Sequence, residues 1–503
     1  MAETKREIER KYEANTATRL PDLTKVAGVA SVVDKGVVDL DATYYDTAGL
    51  RLAADSITLR RRTGGADAGW HLKLPVAPGV RDEVRAPLGT TLPRGLAGLV
   101  RSRLLGDEVV PVMRLRSSRD VRHLVDEDGR LLAELSLDTV RAENLAAPDA
   151  ADGAASWTEI EVELADDVDP AFLDRVEKRL RKAGVRPSGS ESKLGRALHE
   201  TGLHPVPRVR RAGRPRTAGD HVVAYLAEQV AALTELDPAV RRDLPDSVHQ
   251  MRVATRRLRS AFRTYEKVLD RGVTDPLGEE LKWLAGELGV DRDQEVLTAR
   301  LRGRVAELPR TLLLGPVRGR LRIWSTARRS GSRRRTVAVL DSKRYLEILR
   351  ALDALLADPP LLRGASGAPE KTLTKAVVRD YERLAGRVEH ALALSPGQER
   401  DLALHDARKA AKRARYAGEA ARAALGGPAK GFAKAMKSVQ QVLGDHQDSV
   451  VAREALRGLA VQAHAAGESA FTWGLLYGRE ERAAAERERE LPEVWEGARG
   501  ARL

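Results

Sequence analysis

The period of the sequence changes once, and that change limits the fold more than any single motif. From Lys5 to about Leu164, short segments alternate apolar and polar residues between turn signals, as half-buried antiparallel strands do. Beyond about residue 217, apolar residues recur at helical spacing, and Ala, Leu, Arg and Glu dominate to about residue 490. Residues 204–217 are rich in Pro and Arg and suit an extended basic connector. A chain of 503 residues exceeds one ordinary core. The expected organisation is therefore multidomain α+β, with a β unit at 1–203, a basic linker at 204–217 and an all-α unit at 218–495.

The expected strands are the stretch around Glu7 to Glu13, Val37–Tyr45, Ser56–Arg62, Gly69–Pro75, Arg81–Ala86, Val112–Val125, Leu131–Asn144 and Trp157–Leu164. Asp126-Glu127-Asp128-Gly129 reads as a hairpin turn. Helices are expected at about 21–27, 94–103 and 170–183. Because successive strand side chains point to opposite faces, Glu7, Glu9 and Lys11 share one face while Ile8 and Tyr12 share the other. Arg60 with Arg62, His71 with Lys73, Glu83 with Arg85, Arg114 with Arg116, and Glu134 with Asp138 share faces in the same way. Trp157–Leu164 repeats the opening pattern, with Glu159, Glu161 and Glu163 opposite Ile160, Val162 and Leu164. Helices available to cover the apolar faces free the charged faces to turn inward around a water-filled barrel. A barrel lined by both signs needs water, metal or a polyanion, because ions taken out of water cost several kcal/mol each. Ile8 and Tyr12 are then expected outside, under the helices.

Composition narrows the partners. The net charge of +13 within 32% charged residues favours anions. With no cysteine, thiolate metal sites and cysteine nucleophiles are excluded, and any metal needs oxygen or imidazole ligands. Only 4% of residues are aromatic, which argues against base stacking and makes nucleic acid the weaker partner. No signal-peptide pattern and no run of about 18 apolar residues occurs, so a cytoplasmic protein without membrane association is expected.

Glu7-x-Glu9-x-Lys11, Tyr44-Tyr45-Asp46-Thr47, Leu59-Arg60-Arg61-Arg62, Leu72-Lys73, Glu161-x-Glu163 and Ser192-Lys193, in this order, resemble the CYTH family, also called triphosphate tunnel metalloenzymes. The resemblance covers about residues 3–203. It implies an eight-stranded antiparallel β-tunnel with flanking helices, and hydrolysis or cyclisation of a triphosphate with Mg2+ or Mn2+. It further implies Glu7, Glu9, Asp138, Glu161 and Glu163 as metal ligands. Lys11, Arg60, Arg62, Lys73, Arg85, Arg116 and Lys193 are implied as grips on the phosphate oxygens. Catalysis would rest on Glu7, Glu9, Lys11, Glu161 and Glu163. Arg119 and Glu159 stay unassigned because strand register is ambiguous there, and His71 reads more readily as a packed or solvated histidine than as an acid or base.

The helical half contains a repeat. His249-x2-Arg252-x3-Arg256-x2-Arg259 matches His405-x2-Arg408-x3-Lys412-x2-Arg415, about 155 residues apart. Each set lies on one stripe of a helix. Leu288-Gly289 and Leu443-Gly444 follow the two stripes after 39 and 38 residues, and acidic turns, Asp291-Arg292-Asp293 and Asp445-His446-Gln447-Asp448, come next. Like charges along a helix repel, so building the stripe twice suggests a shared anion. Asp293 and Asp448 would then be partners of the cations or helix caps. These residues resemble the CHAD family over about 217–495, which implies two similar helical-bundle halves that bind inorganic polyphosphate through His249, Arg252, Arg256, Arg259, His405, Arg408, Lys412 and Arg415. The expected function is metal-dependent hydrolysis of triphosphate, inorganic triphosphate first, joined to polyphosphate binding and association with polyphosphate granules. The alternatives are adenylate cyclase or thiamine triphosphatase chemistry in the same tunnel, and a non-catalytic protein that binds or targets polyphosphate. Oligomeric state is not legible.

Overall fold

The computed structural model of the chain describes residues 3–146, 153–205, 214–329 and 332–501, with side chains described throughout these except at 3, 290–292, 327–329 and 332. The chain divides into two compact units, Met1–Arg208 and Val209–Leu503. The central part of the expected linker, 206–213, lies outside the described residues.

The first unit is an antiparallel barrel closed in the order β1-β5-β4-β3-β2-β6-β7-β8. Its strands are β1 (Glu3–Ala14), β2 (Ser31–Asp46), β3 (Thr58–Thr63), β4 (Gly69–Ala77), β5 (Val80–Pro87), β6 (Val110–Val125), β7 (Leu131–Asn144) and β8 (Ala154–Leu164). The turn joining β6 to β7 is closed by Gly129 donating to the Asp126 carbonyl, and Gly129 takes the positive φ that such a turn requires. The helix expected at 21–27 is a single 3-10 turn at Leu23–Lys25, too short for a helix proper because proline and alternating polar residues flank it.

Alternation decides what lies inside. On the outer face, Tyr12, Leu124, Leu135, Ile160 and Val162 pack beneath Phe172, Leu173, Val176 and Leu180, with Ile8 at the edge. A second outer core joins Leu59, Leu72 and Val84 to Leu52, Leu96, Leu99 and Val100. The covering helices are α1 (Arg51–Ala54), α2 (Arg94–Leu104) and α3 (Ala171–Lys182). Arg10, between Ile8 and Tyr12, reaches Asp174 and Glu177 of α3. A fully buried aromatic or Leu side chain contributes about 1.5–3 kcal/mol here, so these covers hold the barrel closed.

The interior is divided along its length. A third core joins Ala42, Tyr44, Met113, Leu115, Val140, Ala142 and Trp157 to Leu194, Ala197 and Leu198 of α4 (Lys193–Glu200). The backbone N–H of Gly195 donates to the N-cap Ser192 side chain at 2.9 Å, which starts α4 at Lys193. One stretch of the barrel is thus filled by apolar residues, and the charged residues line the rest.

The second unit is helical: α5 (Ala218–Arg241), α6 (Ser247–Thr264), α7 (Arg271–Glu287), α8 (Gly289–Ala306), α9 (Val317–Arg329), α10 (Ser332–Asp341), α11 (Lys343–Ala357), α12 (Pro369–Ala393), α13 (Gln398–Leu425), α14 (Gly427–Ala465) and α15 (Phe471–Arg499). Helices α5, α6, α7 and α11 pack together, as do α12 to α15, and α8 and α9 pack on α14. The two acidic segments expected to be turns are helical. Residues 291–293 lie in the first turns of α8, and 445–448 lie in the middle of the 39-residue α14. Neither contains a glycine or proline to stop a helix, and the preceding glycines do not suffice. Among the described residues no helix is long and apolar enough to cross a membrane.

Candidate functional site

Inward-facing residues of the barrel enclose a cavity of about 420 Å³. Glu7, Glu9, Lys11, Arg60, Arg62, Lys73, Arg85, Glu161, Glu163 and Lys193 all line it, as do Arg81, Glu83 and Arg119. Register explains the grouping. β1 sets Glu9 opposite Glu163 and Lys11 opposite Glu161, and β7 sets Asp138 opposite both Arg119 on β6 and Glu159 on β8.

The charges are paired across strands. Lys73 lies 2.5 Å from Glu7, Lys5 lies 2.7 Å from Glu163 and Arg81 lies 3.3 Å from Glu9. Lys11 contacts Glu161 directly. Arg119 grips Asp138 through two nitrogens at 2.8 and 2.9 Å and reaches Glu161 at 2.7 Å. Burial and pairing pull these groups in different directions. Burial pushes the Glu7 carboxyl above the usual range against the pull of Lys73. Burial also opposes ionisation of Glu9, but Lys11, Lys73, Arg81 and Lys193 outweigh it and hold that carboxyl well below the usual range. Lys11 is brought down to about 8, chiefly by burial. Arg62 falls to about 9 through burial and the neighbouring Arg60 and Arg119.

One group of acids has the geometry of a metal site. Single oxygens from Asp138, Glu159 and Glu161 lie within 4.8 Å of one another, and all three residues are buried. Glu159 Oε1 faces the Lys193 ammonium 2.8 Å away. Lys193 also lies 2.8 Å from Asp138 and 2.5 Å from Glu161. Three carboxylates suit a hard divalent cation, which would share these acids with Lys193. Glu159 therefore joins Asp138 and Glu161 in the strongest donor set. Glu7, Glu9 and Glu163 stand outside that set, each against its own cation.

Other residues fall differently from the sequence reading. Arg116 is absent from the cavity: its side chain is 58% exposed and lies 3.7 Å from Asp41. The reason is local, since Met113 and Leu115 turn inward to meet α4 and carry Arg114 and Arg116 outward. Glu83, only 1% exposed, is a hub that sequence pattern placed on the right face without weight; Arg85 contacts it, and Arg60 and Lys73 lie 3.6 and 3.8 Å away. His71 is packed, with Nδ1 at 2.9 Å from Glu83 and Nε2 at 2.8 Å from the Asp67 carbonyl. Burial draws its pKa below the ordinary value while Glu83 pulls the other way, so its place is to hold Glu83. Tyr44 Oη lies 3.4 Å from Arg60, whose charge overcomes burial and lowers the phenol pKa.

In the helical unit both basic stripes sit where α6 meets α13. Arg252 is buried and reaches Asp293 at 3.1 Å; Arg408 lies 3.8 Å from Asp448. Both aspartates are thus partners of cations within helices, not caps. The first Leu-Gly pair gains a reason as well. A Cβ at Gly289 would come 2.8 Å from the Arg252 guanidinium, and one at Gly444 would come 3.7 Å from that of Arg408. Gly289 leaves room for the first arginine of its stripe, whereas a Cβ at Gly444 would sit at ordinary van der Waals distance from its own. His405 faces Gln447 at 2.5 Å, whereas His446 is buried between Asp401 and Glu488, each 3.2 Å away. Burial first, and then Arg408 and Arg256, bring Lys412 down to about 7. The arginine-dense 318–335 segment forms α9 and α10, with residues 330–331 outside the described residues.

The model of the CYTH domain matches residues 5–197 and that of the CHAD domain residues 224–457. A Mycobacterium tuberculosis protein, uncharacterized protein MT2285 in strain CDC 1551 and Rv2226 in strain H37Rv, is 39% identical over 501 residues, covering 97% of this chain and 95% of the relative. Among solved structures, PptA from Streptomyces chartreusis aligns at TM-score 0.47 and 22% identity over 56% of this chain and 100% of its own. The CHAD domain of Ricinus communis aligns at 0.44 and 24% over 58% and 95%.

Proposed function

Because the chain belongs to the CYTH and CHAD families, with one domain of each, we propose that its barrel hydrolyses triphosphate and its helical unit holds inorganic polyphosphate. Inorganic triphosphate is the leading substrate. The observation that carries this reading is that Glu161, Lys193, Lys11 and Arg119 meet on the cavity wall, with the buried Asp138 and Glu159 directly behind them against Lys193.

Phosphoryl transfer asks a protein for positioning and charge stabilisation more than for covalent chemistry. When bound, Mg2+ or Mn2+ supplies neutralisation of the phosphate oxygens and activation of water. Asp138, Glu159 and Glu161 would hold it. Arg60, Arg62, Lys73 and Arg85, facing the same cavity, would take the phosphate oxygens, exchanging their carboxylate partners for substrate. Tyr44 and Glu83 would keep Arg60 in place. The apolar core at α4 would close the cavity beyond Tyr44 and limit how far an organic tail could enter there. That limit favours inorganic triphosphate over ATP or thiamine triphosphate.

The test is phosphate release from triphosphate, ATP and thiamine triphosphate side by side, with Mg2+ or Mn2+, in the wild type and in a Glu159→Gln, Glu161→Gln variant. We expect triphosphate to be the best substrate and the variant to lose about 10²-fold or more, on the order seen when a group that stabilises the transition state is removed. Unchanged turnover in the variant would reject the assignment.

A further inference from the structure

A second cavity, of about 470 Å³, opens in the helical unit among α6, α7, α12 and α13. Arg259, Arg263, Arg271, Arg383 and Arg413 line it, against Glu266, Asp275 and Glu279. Of these cations only Arg259 belongs to the repeated stripe. Arg256, Arg259 and Arg263 lie three and four residues apart, so they follow one another along a single face of α6. Arg413 donates to the Arg263 carbonyl at 2.9 Å, which brings α13 against α6 at this end. Arg413 and Arg383 both lean on the buried Asp380, at 2.8 and 3.2 Å, and are thereby aimed. The Nε of Arg413 is the nitrogen that meets Asp380, whereas that of Arg259 is buried without an acceptor. Buried donors of this kind cost stability unless an anion or water meets them.

We infer that this cavity is a second phosphate-binding pocket, continuous with the stripes through Arg259, and that it takes the onward portion of a linear polyphosphate chain. The inference rests on the polyphosphate reading above and adds a chain-length preference to it. From His249 to Arg263 the helix rises roughly 21 Å, against about 15 Å for the stripe alone. A short chain fills the stripe; a long one gains the pocket as well.

Arg263 and Arg383 are 56% and 43% exposed, so both can be replaced without opening a core. The experiment measures binding of triphosphate-length and long-chain polyphosphate to the full chain, across a salt series. It compares wild type, an Arg263→Ala, Arg383→Ala variant, and an Arg482→Ala, Arg499→Ala control of equal charge change on the exposed face of α15. The pocket variant should bind long chains about ten-fold more weakly, with a flatter salt dependence, while its binding of the short chain and its barrel turnover stay unchanged. Long-chain affinity equal to that of wild type, or a loss no greater than in the control, would overturn the pocket. If wild type itself fails to bind long chains, the polyphosphate reading falls and takes the pocket with it.

Discussion

The barrel and the helical cluster are both rich in cations, yet they are neutralised differently. In the barrel, Lys5, Lys11, Lys73, Arg81, Arg85, Arg119 and Lys193 each have a carboxylate within 4.0 Å. In the helical cluster, Asp293 answers Arg252, Asp448 answers Arg408 and Glu419 answers Arg415. Among the described residues, Arg256, Arg259 and Lys412 have no ion pair. A cavity whose charges already satisfy one another attracts an anion weakly; something must first occupy the acids. A surface with excess charge needs no such exchange, and part of the repulsion it stores is relieved when an anion arrives. The barrel should therefore depend on metal and the helical unit should not.

Metal removal separates them most sharply. In excess chelator, triphosphate turnover should fall below detection, while polyphosphate affinity should stay within about two-fold of its starting value, the size of effect that exposed charges produce. Phosphate-release and binding assays on the same preparation measure both. Turnover that survives chelation would show that the paired charges of the barrel suffice alone, and the contrast would fail.

A smaller effect comes from the unpaired cations. Arg256→Ala with Lys412→Ala should weaken polyphosphate binding roughly 150-fold, at about 1.5 kcal/mol for each charge-assisted hydrogen bond removed. Barrel turnover should be unchanged. An equal loss of turnover would mean that the two activities share a surface and that the two kinds of cation cluster are not independent.

The same cluster should carry a pH signature. Lys412 is lowered to about 7 by burial and by Arg408 and Arg256, and a bound anion raises its pKa again. Affinity should therefore be flat below pH 7 and decline above it by up to about ten-fold per unit, since the free lysine must then be charged on binding. Lys412→Arg should remove the slope, because a guanidinium stays charged. The stability of the unliganded fold runs the opposite way. The unfolded lysine keeps its proton up to its ordinary 10.5, so the native state gains stability from pH 7 towards 10.5. A binding profile that rises with pH would place Lys412 away from the anion.

What could be read from the sequence was set by periodicity and by local repeats. Alternation put Glu7, Glu9 and Lys11 on one face and Tyr12 on the other, and Tyr12 is fully buried beneath α3. The offsets of the two stripes likewise survive in α6 and α13. What escaped depends on partners distant in the chain. No local pattern tells that Asp138 faces Glu159 across β7 and β8, so the best-shaped group of acids is only partly legible. Arg116 went astray for a related reason: its strand presents apolar residues inward, because α4 fills the barrel there. The acidic segments looked like turns because charge and glycine were visible, whereas the arginines that Asp293 and Asp448 answer lie on other helices.

The smallest expected effect tests the contrast at its finest grain, one residue within β8. Ile160 stands between Glu159 and Glu161 in the chain, but it is fully buried in the outer core with Phe172 and Val176, while its neighbours face the acid cluster. Ile160→Val removes one methylene from that core and should lower stability by about 0.5–1.5 kcal/mol, read from denaturant or thermal unfolding. Turnover per folded molecule should stay at the wild-type level. The Glu159→Gln, Glu161→Gln variant should do the reverse, keeping the fold and losing the chemistry. If Ile160→Val instead reduced turnover by about ten-fold without a matching loss of stability, the outer core would be setting the position of the acids, and the barrel could not be divided into a covering face and a working face.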